Sequence, residues 1–436
     1  MLTAKHKTGL VFFPAFDWAI SPTHPEREER LLYTQDQVFE EGLLDIDGIV
    51  EFKPDLVTMK DVQRVHFCVP DPWAVMTESH FISAGGAKTI GMQVMDGAIE
   101  RGFALVRPPG HHACRVVHGA RGFCNVNIEA IMIEYLRRAY GVERVAIVDT
   151  DCHHGDGTQD IYWHDPQTLF ISIHQDGRTL YPGSGFWNEL GGPNAVGTTL
   201  NIPLPPHTSE EGFLFAIREA VLPILDDFKP QLIVNSAGQD NHYSDPITNM
   251  NFSAHGYAEL TRLLQADIAV LEGGYAIEGA LPYVNTGIIL AMAGLDYSHL
   301  QEPDYDPDQY RQSRETDQWI ERSCEKTLEI WRQRQALTEQ IRSQPECGHR
   351  SRRIFYDTDN IQERQEETIA ICDDCAGALR IDSKAHGRRR ILAIHIPTKA
   401  CEKCQDQGHQ WYEAADAASY DHIFLQNRVD DSYQEK

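Results

Sequence analysis

The chain has 436 residues and a formal net charge of −26, which excludes broad, non-specific binding to nucleic acid while leaving room for a local basic patch. Its 42% hydrophobic content and 32 Gly suffice for a large core and a second, smaller domain. No stretch approaches the roughly 18 unbroken apolar residues of a membrane span, no cleavage pattern follows Met1, and 10 Cys without a secretory signal favour free thiols and metal ligation over disulfides, so a soluble, cytoplasmic protein is expected.

The first strand is expected over 9–13. A Pro- and Ser-containing loop leads to a helix over 28–44, and 62–68 reads as a helix end or a strand. Ala84-Gly-Gly86 opens an apolar-periodic helix through Ile90, Val94 and Met95; Gly86-Ala-Lys-Thr89 has the wrong glycine spacing for a phosphate loop. A short strand over 103–106 ends at Arg107-Pro-Pro-Gly-His-His112. A helix over 126–140 then crosses to the next strand, giving a βαβ unit and a parallel sheet.

That next strand, 145–148, is an apolar run that ends abruptly in Asp149, Asp151, His153, His154 and Asp156, interrupted by Gly155 and Gly157. Residues two apart on a strand share a side, so Asp149, Asp151 and His153 have metal-ligand spacing. Strands over 169–174 and 198–202, the latter edge-like, precede a helix over 209–228. Strand 232–235 ends in Ser236-Ala-Gly-Gln-Asp240, and strand 268–271 in Glu272-Gly-Gly-Tyr275. Ligands of α/β proteins sit at such strand ends.

One His and two carboxylates, Asp151, His153 and Asp240, fit an open catalytic metal site; a structural zinc would be closed by four protein ligands. The metal would polarise a carbonyl and lower the pKa of bound water toward about 7. His111 and His112 would act as general base and general acid, oriented by Asp149 and Asp156, and Tyr275 would donate to the developing oxyanion. Any one of these residues alone is more often a helix cap or a packed loop side chain. Their concentration at successive strand ends favours a metal hydrolase.

Together, His24-Pro-Glu-Arg27, Arg107-Pro-Pro-Gly-His-His-Ala113, Asp149-Thr-Asp-Cys-His-His-Gly-Asp-Gly-Thr-Gln159, Ile171-Ser-Ile-His174, Ala237-Gly-Gln-Asp240 with Asp245-Pro246, and Leu271-Glu-Gly-Gly-Tyr275 resemble the histone deacetylase superfamily, most closely its class II-like bacterial members, which include acetylpolyamine amidohydrolases. The resemblance, over 9–295, implies an arginase/deacetylase-like α/β fold with a mainly parallel central sheet flanked by helices, and metal-dependent hydrolysis of an N-acyl amide. It places zinc on Asp151, His153 and Asp240, the tandem histidines on His111 and His112, their carboxylates on Asp149 and Asp156, and the transition-state tyrosine on Tyr275. It also implies a substrate channel at Gly122, Phe123, Tyr181, Gly273 and Gly274, and a structural potassium ion at Asp149, Asp151, His153, Ser172 and Ile173. Gln239 replaces a frequent Phe, and Ile247 supplies no acidic gatekeeper, which weakens a polyamine substrate.

Beyond a catalytic domain over 1–300, residues 301–345 read as a charged linker and an amphipathic helix, with Trp319, Ile320, Leu328, Trp331 and Leu337 docking it onto the main domain. In 346–436, the knuckles Cys372/Cys375 and Cys401/Cys404 flank a strand over 390–396, a zinc-ribbon-like β domain with a structural zinc; Cys347, His349 and His409 are further possible ligands, and His386 or His395 an eighth. Lys384 and Arg388-Arg-Arg390 form a basic strip, read as a solvated face.

The leading expectation is a zinc-dependent deacylase acting on acyl-lysine in proteins or on a small N-acyl amine. The alternative is a regulatory binding protein whose ribbon tail contacts a partner. A serine hydrolase ranks third, because no GxSxG elbow is present. Nucleic acid is not the expected partner of the catalytic domain and is left open for the tail, as is an oligomer.

Overall fold

The structure, a computed structural model, describes residues 2–387 and 389–436. Its first ten strands are β1 (Thr3–Phe13), β2 (Asp47–Phe52), β3 (Phe67–Cys68), β4 (Arg101–Val106), β5 (Val116–Val117), β6 (Val145–Asp149), β7 (Thr168–Gln175), β8 (Thr199–Leu204), β9 (Leu232–Ala237) and β10 (Ile268–Leu271). Apart from the small β3–β5 pair, they form one 8-stranded sheet in the order β2-β1-β4-β10-β9-β6-β7-β8, parallel at every junction. Such a sheet must be covered on both faces, and its sequence shows how. Successive residues of β6 alternate between two cores: Ala146 and Val148 pack on one side, Val145 and Ile147 on the other. Because all eight strands run the same way, their C-terminal ends share one edge, and the polar clusters collect there.

At three places the structure adds to or alters what the sequence indicates. First, β4 and β6 are parallel and joined by a helix, as expected, and β10 and β9 lie between them, since a crossover helix fixes hand and direction without excluding later strands from the gap. Second, the helix expected to open at Ala84 spans Glu78–Met95, started by Thr77, which exchanges capping bonds with His80 where a Glu or Gln is usual. Its glycines are therefore internal. A Cβ on Gly85 would lie 1.8 Å from the Asp55 carbonyl oxygen, so the glycine permits backbone approach. Gly85→Ala is expected to destabilise by about 2 kcal/mol or more in denaturant unfolding, overriding the roughly 1 kcal/mol helix-propensity gain of Ala. Third, 62–68 is both elements in turn, the end of a helix (Met59–Gln63) and then β3.

The amphipathic segment forms a helix, Arg314–Arg342, capped by Ser313. It covers the exposed edge of the sheet: Trp319 Nε1 donates to the Pro203 carbonyl of β8 at 3.0 Å, and Ile320 and Trp331 are buried. No helix among the described residues is long and apolar enough to cross a membrane.

The remaining strands, β11 (His349–Tyr356), β12 (Ile361–Ile369), β13 (Leu379–Ala385), β14 (Arg390–Ile396), β15 (His422–Asn427) and β16 (Ser432–Glu435), form a 6-stranded sheet in chain order. It is antiparallel except between β14 and β15, which the helix Glu402–Glu413 separates in sequence. This domain is larger than a ribbon and shares a core with the catalytic domain: Phe424 packs on Phe67, and the Tyr356 hydroxyl donates to the Val116 carbonyl at 3.0 Å. Of the expected basic strip, Arg388 lies outside the described residues, and Arg390 is paired with Asp382 at 2.8 Å.

Candidate active site

Four strand ends build the site. β6 delivers Asp149 and continues into Asp151 and His153, β9 leads to Asp240, β10 to Tyr275, and β4 to His111 and His112. His153 Nδ1 lies 2.8 Å from Asp240 Oδ2 and 3.2 Å from Asp151 Oδ1. One donor atom from each of the three residues lies within 4.8 Å of the other two, which a shared ion at bond lengths of about 2 Å requires. The surroundings are shaped to fit. A Cβ on Gly238 would stand 2.0 Å from Asp151 Oδ2, and one on Gly273 2.4 Å from Asp240 Oδ2. The Gly273 N–H donates to Asp151 Oδ2 at 2.7 Å and that of Cys152 to Asp240 Oδ1 at 2.8 Å, aiming both carboxylates. Burial and the nearby Asp151 charge push the Asp240 carboxyl up despite His153, whereas His153, opposed by its own burial, is held at about 10 by Asp240 and Asp151. Two buried carboxylates crowded around one imidazole suit a cation.

The tandem histidines stand beside this triad. His111 Nδ1 engages Asp149 Oδ2 at 3.1 Å and His112 Nδ1 engages Asp156 Oδ1 at 2.8 Å, so each ring has its other nitrogen available for proton transfer. His111 Nε2 approaches Asp151 Oδ2 at 3.8 Å. Burial works against charge on both rings. The Asp151 and Asp149 carboxylates nevertheless raise His111 well above its usual value, while burial and the His111 charge lower His112 to about 3.

Tyr275 is buried, with its backbone N–H on Asp245 Oδ2 at 2.8 Å and the Arg30 guanidinium 4.8 Å from its ring centre. Phe123 meets it edge to face at 5.7 Å, and Tyr181 meets His112 likewise at 5.1 Å, so the two expected channel walls flank the same centre. A Cβ on Gly122 would stand 2.3 Å from the His112 ring and 3.0 Å from that of Tyr181, so the glycine leaves room for both. Gly273 lies against the Asp240 and Asp151 carboxylates and Gly274 against Gln239 and Leu281. Ser172 pairs with Asp149 across β6 and β7, and its hydroxyl engages His174 Nδ1 at 2.9 Å; Ile173 follows it on β7.

Several supporting residues were not foreseen. Glu272 accepts the N–H groups of Gly110 and His111 at 2.7 and 3.0 Å, fixing the histidine loop. Glu26, fully buried, pairs with both Arg107 and Arg30. A charged residue wedged between an apolar strand and Gly-Gly was the visible signal for Glu272.

In the C-terminal domain, the sulfurs of Cys372, Cys375 and Cys401 stand 3.6–3.8 Å apart, with Cys404 in the same group. Zinc–sulfur bonds of about 2.3 Å in a tetrahedron separate sulfurs by about 3.8 Å, so the four fit one closed structural ion. Cys347, His349 and His409 do not join them: four thiolates already complete the shell, and His349 Nδ1 contacts Thr368 instead.

A histone deacetylase domain model matches residues 73–290. The chain is 45% identical over 326 residues to a probable deacetylase of Archaeoglobus fulgidus, covering 68% of this chain and 89% of that protein. It belongs to the histone deacetylase family. A histone deacetylase-like amidohydrolase of Pseudomonas aeruginosa is 34% identical over 51% of this chain and 62% of its own length. The crystal structure of the HDA15 HD domain superposes with a TM-score of 0.66 at 25% identity, covering 78% of this chain and 99% of that one. As a histone deacetylase-family protein, the chain is a hydrolase of acetylated amides.

One feature of this deacetylase site comes from outside the matched domain. The β11–β12 turn reaches the loop carrying Phe123: Asp359 Oδ2 accepts the Ala120 N–H at 2.7 Å and Asp357 Oδ1 the Gly122 N–H at 3.1 Å. Both Gly122 and Phe123 have positive φ, 52° and 68°, a conformation that needs holding. The double change Asp357→Ala with Asp359→Ala is expected to raise KM by up to about thirtyfold with little change in kcat, from about 1 kcal/mol of lost loop anchoring per bond. Steady-state kinetics on an acetylated peptide reads that split.

Proposed function

We propose that this protein is a zinc-dependent deacylase that removes acetyl groups from N-acyl-lysine side chains or related N-acyl amines. The observation that carries this reading is the convergence of Asp151, His153 and Asp240 beside His111 and His112, with Tyr275 entering from a separate strand end. Zinc held by the triad supplies Lewis acidity to the amide carbonyl and to the attacking water. His111 and His112, held by Asp149 and Asp156, take the proton from water and pass one to the leaving amine. The Tyr275 hydroxyl donates to the oxygen on which negative charge develops. Phe123 and Tyr181, flanking the same centre, suit an alkyl stem such as that of lysine, and the exposed Ile247 offers no carboxylate of the kind that would select a polyamine.

With this reading go a potassium ion at Asp149, Asp151, His153, Ser172 and Ile173, a structural zinc at the four cysteines, a catalytic domain over 1–300 followed by the 301–345 and 346–436 segments, and a cytoplasmic setting that keeps the cysteines, all free here, reduced. The test is a side-by-side assay of acyl-lysine peptides and acetylpolyamines with zinc-loaded protein. Acetyl-lysine peptides are expected to turn over faster; preference for acetylpolyamines would reassign the substrate, and turnover of neither would end the reading.

A further inference from the structure

Behind the histidine loop, between the catalytic domain and the C-terminal sheet, lies a cavity of about 830 Å³. The buried Arg115 and Arg428 and the half-buried Arg137 line it with their guanidinium groups, against the buried Glu134 and half-buried Asp165 carboxylates. Glu134 divides itself between Arg137, at 2.9 Å, and Arg428; Asp165 takes Arg137 at 2.7 Å. Arg115 is left over. It is 9% exposed, its Nη2 donates to the neutral Ile161 carbonyl, its Nε has no partner, and no carboxylate among the described residues pairs with its guanidinium. Asp160, which accepts the Arg115 backbone N–H at 3.0 Å, gives its other oxygen to Arg352. The rim cations Arg64, Arg342 and Lys399 each have their own carboxylate. Two further buried polar atoms, Tyr162 Oη and Arg428 Nε, also lack a hydrogen bond.

We propose that this cavity is a binding site for a small molecule carrying an oxyanion, a carboxylate or a phosphate, seated on Arg115. A buried guanidinium with no carboxylate in contact is costly, and an oxyanion removes the cost with short, charge-assisted bonds that the planar fork is shaped to make. Burial draws the Arg115 guanidinium below its usual value although Glu134 and Glu367 act on it from a distance, whereas Arg137, in contact with Asp165 and Glu134, is held up. Val65, Val142, Ile161 and Leu379 supply apolar wall for the rest of the ligand, and the volume falls in the roughly 300–1,000 Å³ range of small-molecule sites. The site is separate from the amide-hydrolysis centre but shares its supports. Arg115 follows His112 on one loop, and Tyr162 ends the helix Asp156–Tyr162, whose first residue holds the His112 ring.

Calorimetric titration of the full metal-loaded protein with inorganic phosphate and, separately, with acetate tests this, with chloride as the ionic-strength control. Saturable binding of at least one anion is expected, weakened about tenfold or more by Arg115→Met and less by Arg115→Lys, which keeps the charge and loses the fork. Binding of phosphate alone assigns a phosphate ester, and binding of acetate alone a carboxylate. Should Arg115→Met fail to fold, the anomalous signal of selenate soaked into wild-type crystals locates the anion directly, within hydrogen-bond reach of Arg115. No binding of either anion, undiminished binding by folded Arg115→Met, or selenate found only elsewhere would overturn the proposal.

Discussion

Asp240→Asn is expected to reduce the bound zinc from two ions per chain to the one held by the four cysteines, and to lower hydrolysis of acetyl-lysine peptides by at least about 10³-fold. The asparagine keeps the shape of the side chain and can still accept the Cys152 N–H that Asp240 now accepts at 2.8 Å, so the fold is retained. What it removes is the second negative charge facing His153 Nδ1. Without that charge the remaining pair, Asp151 and His153, has too few donors to hold an ion tightly in an otherwise water-filled shell. Metal analysis and peptide turnover on the same sample check both halves of the result. Full activity in protein that has lost the triad's metal would separate the chemistry from the site.

Tyr275→Phe should behave differently. Zinc content stays at two ions, KM changes little, and kcat falls by about 10²- to 10³-fold, the effect of removing one oxyanion donor. Phenylalanine preserves the edge-to-face contact with Phe123 at 5.7 Å, and the Asp245 bond to the backbone N–H does not depend on the side chain. Burial, opposed only in part by Arg30, lifts the phenol well above its usual pKa, so it remains protonated and able to donate throughout the neutral range. A loss shared equally between kcat and metal content would indicate that the ring supports the fold instead.

The parallel sheet was legible because its strands are continuous apolar runs bounded by turn residues, and the reactive side chains because they interrupt those runs at one end. Neighbour order was not legible. Nothing in 103–149 says that β9 and β10, more than eighty residues further on, will enter between β4 and β6. The Glu78 helix start was hidden because His80 replaces the acidic residue of a capping box, and the glycines that suggested a start at Ala84 serve close packing against Asp55. Gly273 shows the same limit: that a Cβ there would stand only 2.4 Å from Asp240 Oδ2, so that the glycine lets the carboxylate approach, has no signal in the sequence. The contribution of Asp357 and Asp359 to the Phe123 loop had no sequence signal, since it joins positions 235 and 239 residues apart through domain packing.

The central claim is that amide hydrolysis takes place where the β6 and β9 ends meet. It is tested most directly by stripping both metals, returning zinc in steps, and measuring acetate released from an acetyl-lysine peptide against occupancy of each site. Acetate release is expected to track filling of the Asp151–His153–Asp240 triad and to be indifferent to filling of the cysteines beyond restored stability. Release by zinc-free protein, or none from acetylated amides once the triad is full, would contradict it.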